Sequence, residues 1–250
     1  MFVRNFQPPP TQLLLLHGLF GHTNNLRAFA DILHQVTKSK ISSCDLRNHG
    51  QSLHGPMNLK NIKNDLDTVL KYPIVCCGHS LGGKILMHNI DNHNIKAGIV
   101  LDIAPKKSDL SLMGSYIKLM IKNDKIFENR NDLKSDLMRE ISNEEIVQFL
   151  MTNLKRNADK KWEFQMGLRY LLDGIDEMST AASIKSDKPM LFIRGDTSDY
   201  ILEEDEKDIK TLYPNSKILT VPGSHWVHFQ SPNEIAKHIN EFLKTVEQLG

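Results

Sequence analysis

Cysteine is scarce in this sequence, and the few thiols present argue against a secreted protein stabilised by disulfides. The 250 residues include three cysteines, Cys44, Cys76 and Cys77, which is too few and an odd number for a disulfide framework. Cys76 and Cys77 are adjacent within an apolar run. This predicts buried thiols and a reduced, cytoplasmic compartment.

An excess of charge of one sign is also lacking. The chain carries 31 Lys and Arg against 30 Asp and Glu, a formal net charge of +1. Because this balance creates no overall positive field, and no block of five or six like charges occurs, no nucleic-acid partner is expected. The 11 histidines show no ligand spacing such as H-E-x-x-H, so no metal site is expected either.

Long hydrophobic runs are missing, since none approaches the ~18 residues that a membrane span requires. The stretch LLLLHGLFG at 13–21 has the apolar character of a short signal-peptide core. However, His17 interrupts it and no small-residue cleavage pattern follows. It is therefore predicted to be a buried strand, and no membrane span is expected.

What the sequence does have is a regular alternation of strand and helix patterns. Short apolar runs typical of strands buried on both faces lie at 12–17, 73–78, 97–104, 189–195 and 217–222, with a weaker one at 40–46. Amphipathic helical stripes lie between them, at 26–33, 59–69 and 235–246. The alternation predicts an α/β fold with a mostly parallel central sheet flanked by helices.

The alternation stops between about residues 106 and 187. Four stretches there have helical spacing with no clear strand between them: SLMGSYIKLMI, DLMREI, EEIVQFLMTNL and KWEFQMGLRYLL. The α/β pattern resumes at Pro189. The sequence therefore predicts a core formed by 1–105 and 188–250, with an inserted helical cap at 106–187.

One serine lies where a buried strand ends and a helix begins. The stretch Gly78-His79-Ser80-Leu81-Gly82 matches the G-x-S-x-G nucleophile elbow in its expected strand–turn–helix context. A sharp turn there forces the serine to a positive φ, and small neighbours avoid a clash. The alternative is a turn of small residues without chemistry, but the flanking strand and helix favour a catalytic Ser80.

A serine hydroxyl needs a base and an oxyanion site. His225, in the loop after the last strand, has the position and chain order of the base, whereas His228 is interpreted as a packing residue. The backbone N–H of Leu81 is one expected oxyanion donor. The second is expected from the loop HGLFG at 17–21, with Leu19 preferred and Phe20 as the alternative.

Five motifs in this order identify a family. They are HGLFG at 17–21, DLRNHGQS at 45–52, GHSLGGK at 78–84, LDIAP at 101–105 and GSHWVH at 223–228. With them the chain resembles the α/β-hydrolase superfamily, most closely the small bacterial YbfF-type esterases, and the resemblance is weakest in the helical insert. It implies an α/β-hydrolase fold with a helical cap, and hydrolysis of a carboxylic ester or thioester without a cofactor.

The resemblance also bears on the acid of the triad. Many α/β-hydrolases carry it three residues past a glycine after the seventh strand, a position that is Ser198 here. YbfF-type esterases are similar in having serine at this position, and they take their acid from the DIAP motif instead. The resemblance therefore implies Asp102 of LDIAP as the acid. Asp196 and Asp199, which this chain adds in that loop, are the alternatives. The stretch DLRNHG at 45–50, with His49, is interpreted as a structural loop beside the site.

Taken together, the residues predict a serine esterase or thioesterase that acts through an acyl-enzyme on a small-molecule ester or acyl thioester. Trp226, next to the base, is a candidate for the substrate pocket. Apolar side chains of the insert are candidates for an acyl site or for simple core packing: Met113, Met120, Phe149, Met151 and Trp162. A C–C bond hydrolase or lyase on the same scaffold and a ligand-binding relative without turnover are the alternatives. A monomer or small homo-oligomer is expected.

Overall fold

A seven-stranded sheet organises the chain, in the computed structural model that describes residues 1–4 and 11–248. The parts of the predicted core at residues 5–10, 249 and 250 lie outside the described residues. The strand order is β1-β3-β2-β4-β5-β8-β9. These strands are β1 (Phe2–Arg4), β2 (Thr11–Leu16), β3 (Lys40–Asp45), β4 (Ile74–His79), β5 (Ile95–Leu101), β8 (Met190–Gly195) and β9 (Ser216–Val221).

Six of these strands are parallel, and they are the six that the apolar runs predict, so the predicted fold class is confirmed. The strand β1 pairs antiparallel with β3 and was missed, because three residues are too short to show a pattern. In β2, Leu14 and Leu16 belong to one apolar cluster, and Leu13 and Leu15 to the other. Because both faces are buried, the strand reads as a continuous apolar run.

Helices cover both faces of the sheet. Helices α1 (Arg27–Thr37) and α11 (Pro232–Gln248) pack on one face, where Phe29 and Ile239 join its apolar cluster. On the other face lie α2 (Leu59–Val69), α3 (Leu81–Met87) and α9 (Glu206–Leu212). Two further short helical segments are Glu203–Asp205 and α10 (Val227–Gln230).

Between β5 and β8 the chain forms helices α4 to α8 and a β-hairpin. Helices α4 to α7 overlap the stretches with helical spacing, whereas α8 was not predicted. The helices are α4 (Ser111–Lys122), α5 (Arg130–Glu140), α6 (Glu144–Met151), α7 (Leu168–Asp173) and α8 (Ile175–Met178). Their buried side chains join the cluster on the α2 and α3 face of the sheet. The segment therefore packs on that side of the sheet.

The hairpin corrects the sequence prediction of an insert without strands. Strands β6 (Leu154–Arg156) and β7 (Trp162–Phe164) pair antiparallel, although Trp162 and Phe164 were assigned to a helical stretch. The cause is turn chemistry that helical spacing does not reveal. The side chain of Asn157 accepts hydrogen bonds from the amides of Asp159 and Lys161, at 3.0 and 3.1 Å, which closes the turn.

Candidate active site

Ser80 occupies a strained turn between β4 and α3. Its φ of 51° and ψ of −116° lie outside the ordinary regions for a residue with a side chain. The turn leaves no room for a side chain two positions to either side of Ser80. A Cβ at Gly82 would lie 2.3 Å from the carbonyl oxygen of Leu16, and a Cβ at Gly78 would lie 2.3 Å from the backbone of Gly82. The glycines therefore permit the close approach of β2, β4 and α3 that exposes Ser80.

His225 and Asp102 meet across the carboxyl edge of the sheet. His225 Nδ1 lies 2.8 Å from Asp102 Oδ2, although the two residues are 123 positions apart. The Asp102 side chain is fully buried, whereas that of His225 is 19% exposed. The Gly195 amide donates to Asp102 Oδ1 at 2.9 Å, and the Ser198 hydroxyl donates to Oδ2. Three donors thus hold this one buried carboxylate.

The two alternative acids lie elsewhere in the same loop. Asp196 is exposed, and its Oδ1 accepts the amide hydrogen of Gly223 at 2.9 Å. Asp196 therefore stabilises the loop that precedes His225, and among the described residues it makes no hydrogen bond to the imidazole. Asp199 is also exposed. The structure brings only Asp102, of the three candidates, within hydrogen-bond distance of His225.

The loop at 17–21 lies beside the elbow. The Phe20 amide donates to His49 Nε2 at 3.3 Å, so this N–H already has an acceptor. Within the described chain, the amides of Leu19 and Leu81 donate to no protein acceptor. The geometry therefore favours Leu19 over Phe20 as the donor from this loop. His49 lies in the 45–50 loop, and its two ring nitrogens contact the Arg47 carbonyl and the Phe20 amide.

Two further side chains position His225, and sequence reasoning missed both. His79 Nε2 donates to the His225 carbonyl oxygen at 2.7 Å, which joins the residue before Ser80 to the base loop. The Tyr200 ring stacks on the His225 imidazole, with centroids 3.6 Å apart and 15° between the planes. In the sequence His79 is part of the elbow motif, and nothing there links it to His225. No pattern connects Tyr200 to His225, because their contact depends on the path of the loop after β8.

A cavity of about 190 Å³ opens above these residues and is lined by Ser80, His225, Leu19, Leu81 and Trp226. Trp226 packs edge-on against Phe149, with centroids 4.4 Å apart. Of the apolar candidates in the insert, Met113 and Phe149 line the cavity. Met120, Met151 and Trp162 pack in the core instead. Most of the other lining side chains are apolar, including Met57, Ile103, Tyr116, Ile146, Leu171, Ile175 and Met178.

Backbone strain is concentrated around the site. Six non-glycine residues of the described chain have a positive φ, and four of them are Phe20, Asn48, Ser80 and Asp102. They follow β2, β3, β4 and β5 in turn, so each of these four neighbouring strands ends near one residue in the left-handed region. Such residues persist only where surrounding contacts hold them.

Histidines around the site are buried as neutral rings. His17 Nδ1 donates to the Gly18 carbonyl at 2.8 Å, and its Nε2 accepts the Leu46 amide at 2.9 Å. His49 is arranged likewise, with Nδ1 on the Arg47 carbonyl and Nε2 on the Phe20 amide. Burial lowers the pKa of His17, His49 and His228 to about 3. Burial and three neighbouring histidines also lower the pKa of His79 well below its ordinary value.

Because these histidines are buried in their neutral form, we expect the protein to lose stability in mild acid. In the unfolded chain each histidine takes up a proton near pH 6.5, about its ordinary pKa. From there down to about pH 3 the unfolded state binds more protons than the folded state, so the free energy of unfolding falls as the pH falls. Each histidine contributes up to about 1.4 kcal/mol per pH unit.

Thermal unfolding followed by circular dichroism between pH 8 and pH 5 measures this effect. We expect a Tm that falls steadily below about pH 6.5. In His228→Phe, which removes one of these groups, the fall should be shallower. A Tm that stays constant across this range would contradict the neutral, buried state of these rings.

No group of three or more His, Cys, Asp or Glu side chains that could hold a metal ion occurs among residues 1–4 and 11–248. In that same part of the chain, every helix is too short or too polar to cross a membrane.

Comparisons with known proteins agree with the fold and with the motifs. No family model matches the chain. It is 33% identical to the sn-1-specific diacylglycerol lipase ABHD11 of Danio rerio, over 94% of this chain and 78% of that protein. It is 32% identical to esterase YbfF of Escherichia coli, over 92% of each. A solved marine microorganism esterase superposes with a TM-score of 0.86 at 29% identity, covering 96% of this chain and 98% of the other.

The sheet, the elbow and these relatives define the class: the chain belongs to the α/β-hydrolase superfamily. Within it the chain is a member of the carboxylic ester hydrolases, in the group that includes the YbfF-type esterases that its motifs resemble.

Proposed function

We propose that this chain is a serine hydrolase that cleaves a carboxylic ester or an acyl thioester through a covalent acyl-enzyme. Ser80 is the nucleophile, His225 the general base and Asp102 the acid that orients it. One observation carries the proposal. His225 Nδ1 lies 2.8 Å from the buried Asp102 carboxylate, in a cavity that Ser80 also lines.

The hydrogen bond to Asp102 determines what His225 does. A carboxylate only accepts, so Nδ1 carries the proton of the neutral ring and Nε2 is left as the acceptor. Nε2 takes the proton of the Ser80 hydroxyl while the oxygen attacks the carbonyl carbon of the substrate. Asp102 then stabilises the imidazolium. The Tyr200 ring, stacked at 3.6 Å, holds the imidazole in this orientation.

The tetrahedral intermediate places its negative oxygen between the amides of Leu81 and Leu19. These are the donors that the elbow and the 17–21 loop leave without a protein acceptor. The intermediate collapses as the protonated His225 gives its proton to the leaving alcohol or thiol. Water then attacks the acyl-enzyme with the same base, which releases the acid and restores Ser80.

The insert supplies much of the substrate pocket in this proposal. Residues 1–105 and 188–250 form the catalytic core, and residues 106–187 form a helical cap over it. The cap contributes apolar cavity residues, among them Met113, Ile146 and Phe149. An apolar wall of this kind suits an acyl chain, because its burial is favourable by roughly 0.8 kcal/mol per CH₂.

The free thiols support a cytoplasmic enzyme. Cys44, Cys76 and Cys77 are buried and unpaired by disulfides. Burial raises the pKa of Cys76 to about 12, so its reactive thiolate form is suppressed. Such thiols need no oxidising compartment.

A screen with p-nitrophenyl esters of increasing acyl length and with acyl-CoA thioesters tests the function. We expect hydrolysis of at least one series, together with labelling of Ser80 by a fluorophosphonate probe, located by peptide mass spectrometry. Labelling without any ester or thioester hydrolysis would favour a C–C bond hydrolase or lyase. Failure to label Ser80 at all would favour a ligand-binding protein without turnover.

A further inference from the structure

A buried side chain of the insert reaches into the 17–21 loop. Asn153 Nδ2 donates to the carbonyl oxygen of Phe20 at 2.9 Å, across 133 positions of sequence. The same nitrogen lies 3.3 Å from the Leu150 carbonyl, and Asn153 is only 3% exposed. Because both neighbours of this nitrogen are carbonyl oxygens, the NH₂ end of the amide must face them.

Phe20 is a residue that needs such support. Its φ of 63° is left-handed, which costs a residue with a side chain roughly 1–2 kcal/mol. The Gly21 amide donates to the Gly18 carbonyl at 3.0 Å, so residues 18–21 form a turn with Phe20 in third place. Because Phe20 has a positive φ and Leu19 does not, the turn matches type II, which normally has glycine in third place.

The ordinary alternative for such a turn is type I. It is reached by turning over the central peptide, the one between Leu19 and Phe20. That rotation would break the bond from the Phe20 amide to His49 Nε2 and would re-aim the backbone directly beside the Leu19 N–H. His49 thus holds one side of Phe20, and Asn153 holds the other.

The hairpin gives Asn153 a rigid base. Asn153 lies between α6 and β6, and its carbonyl oxygen accepts the Gln165 amide at 2.8 Å, beyond the end of β7. Its neighbour Thr152 also faces this loop region. The Thr152 carbonyl is 3.2 Å from His22 Nε2, and its hydroxyl accepts from Asn25 Nδ2 at 3.4 Å. Residues 152–153 therefore contact both the 17–21 loop and the residues that follow it.

We propose that Asn153 is a positioning residue for the oxyanion site. His49 holds the Phe20 amide and so fixes the central peptide of the turn, whereas Asn153 holds the Phe20 carbonyl in the next peptide. The two bonds anchor the 17–21 loop on both sides of Phe20 and thereby fix where the Leu19 N–H points. Asn153 thus couples the packing of residues 106–187 to transition-state stabilisation. This inference rests on the proposed serine-esterase function and on Leu19 as a donor. Asn153 does not touch the substrate in this role.

Two substitutions of Asn153 test it. Asn153→Leu keeps the side-chain volume and Asn153→Ala does not, but both remove the donor. We expect kcat per active site to fall about 10- to 100-fold in both, because a misplaced donor stabilises the transition state poorly. KM should change less than about threefold, since the acyl pocket is unaltered. Active sites are counted from the end point of fluorophosphonate labelling, which corrects for any misfolded fraction.

A matched control comes from the same insert. Asn123 Nδ2 also donates to a backbone carbonyl, that of Leu119 at 2.9 Å, but far along the sequence from residues 152–153. Asn123→Leu should keep the wild-type kcat. If it lowers kcat as much as Asn153→Leu does, the effect is a general loosening of the insert and the proposal is wrong.

Inhibitor binding distinguishes a positioning role of Asn153 from a role in packing alone. A trifluoromethyl ketone becomes a tetrahedral adduct when the Ser80 oxygen adds to its carbonyl carbon, the proton passes to His225, and the ketone oxygen becomes the oxyanion. Its affinity should fall by the same factor as kcat/KM in both Asn153 variants. An amide with the same acyl group stays planar and should bind as it does to the wild type. If Asn153 had only a structural role, its substitution would change the affinities for the ketone and for the amide alike.

The inference about Asn153 and the proposed function fail on different results. Wild-type kcat and ketone affinity in both Asn153 variants would overturn the inference alone, and so would a loss in Asn153→Ala that Asn153→Leu restores. A wild-type protein that neither labels at Ser80 nor hydrolyses esters would overturn the proposed function, and the inference with it.

Discussion

Ser80→Ala will lower kcat for ester hydrolysis by about four orders of magnitude or more, the scale on which loss of the nucleophile acts in serine hydrolases. The variant has no hydroxyl to form the acyl-enzyme, so only binding and the oxyanion donors remain to assist direct attack by water. Alanine keeps the Cβ, so the strained turn at φ 51° is not made worse and the fold should persist. Initial rates with the best p-nitrophenyl ester, and the loss of fluorophosphonate labelling, measure the effect.

Ser115→Ala is the matched control for this experiment. Ser115 lies in α4, and its hydroxyl donates to the Leu112 carbonyl of the same helix, so we expect wild-type rates. A Ser80→Ala variant that retains more than about a tenth of the wild-type kcat would exclude Ser80 as the nucleophile, because loss of a nucleophilic serine costs far more than tenfold in kcat.

Asp102→Asn should reduce kcat by about four orders of magnitude. The amide can present its NH₂ to His225 Nδ1, which shifts the imidazole proton to Nε2, and a protonated Nε2 cannot accept the proton of Ser80. The Gly195 amide keeps its acceptor, because it bonds to the other carboxylate oxygen, Oδ1. The Ser198 hydroxyl bonds to the same atom as His225, and it can rotate to accept from the new NH₂. The variant should therefore fold, which circular dichroism verifies.

The same measurement on Asp199→Asn and Asp196→Asn compares the three candidate acids. We expect the kcat of both variants to stay within about threefold of the wild-type value. Asp199 is exposed, and an asparagine at 196 still offers an oxygen to the Gly223 amide. If Asp199→Asn abolishes turnover while Asp102→Asn is mild, then Asp199 is the acid, and the loop after β8 must rearrange when substrate binds.

The central sheet was predictable because its strands are buried on both faces and therefore consist of apolar runs. Leu13 to Leu16 is the clearest example, with alternate residues in the two apolar clusters. The hairpin was not predictable from periodicity. Trp162 and Met166 are four residues apart and so match a helix, whereas the turn depends on one asparagine side chain, Asn157, that bonds to its own backbone.

For the candidate site, the order of motifs led to Ser80 and His225, since the elbow and the last loop are local features. The choice between Asp102 and Asp199 depends on which loop faces the imidazole, and that contact spans 123 positions. Chain order alone permits either residue. Tyr200 and Asn153 carry no motif, because they act through geometry that only the folded chain creates.

The four left-handed residues that end β2 to β5 have a consequence for protein engineering. Each holds of the order of 1–3 kcal/mol of strain, and together this is comparable with the whole net stability of a typical domain, about 5–15 kcal/mol. A selection for heat resistance alone will find its gains by relaxing these turns, at the expense of turnover. Thermostable variants that remain active are better sought on the outer surface, for example at Leu53, which is 84% exposed.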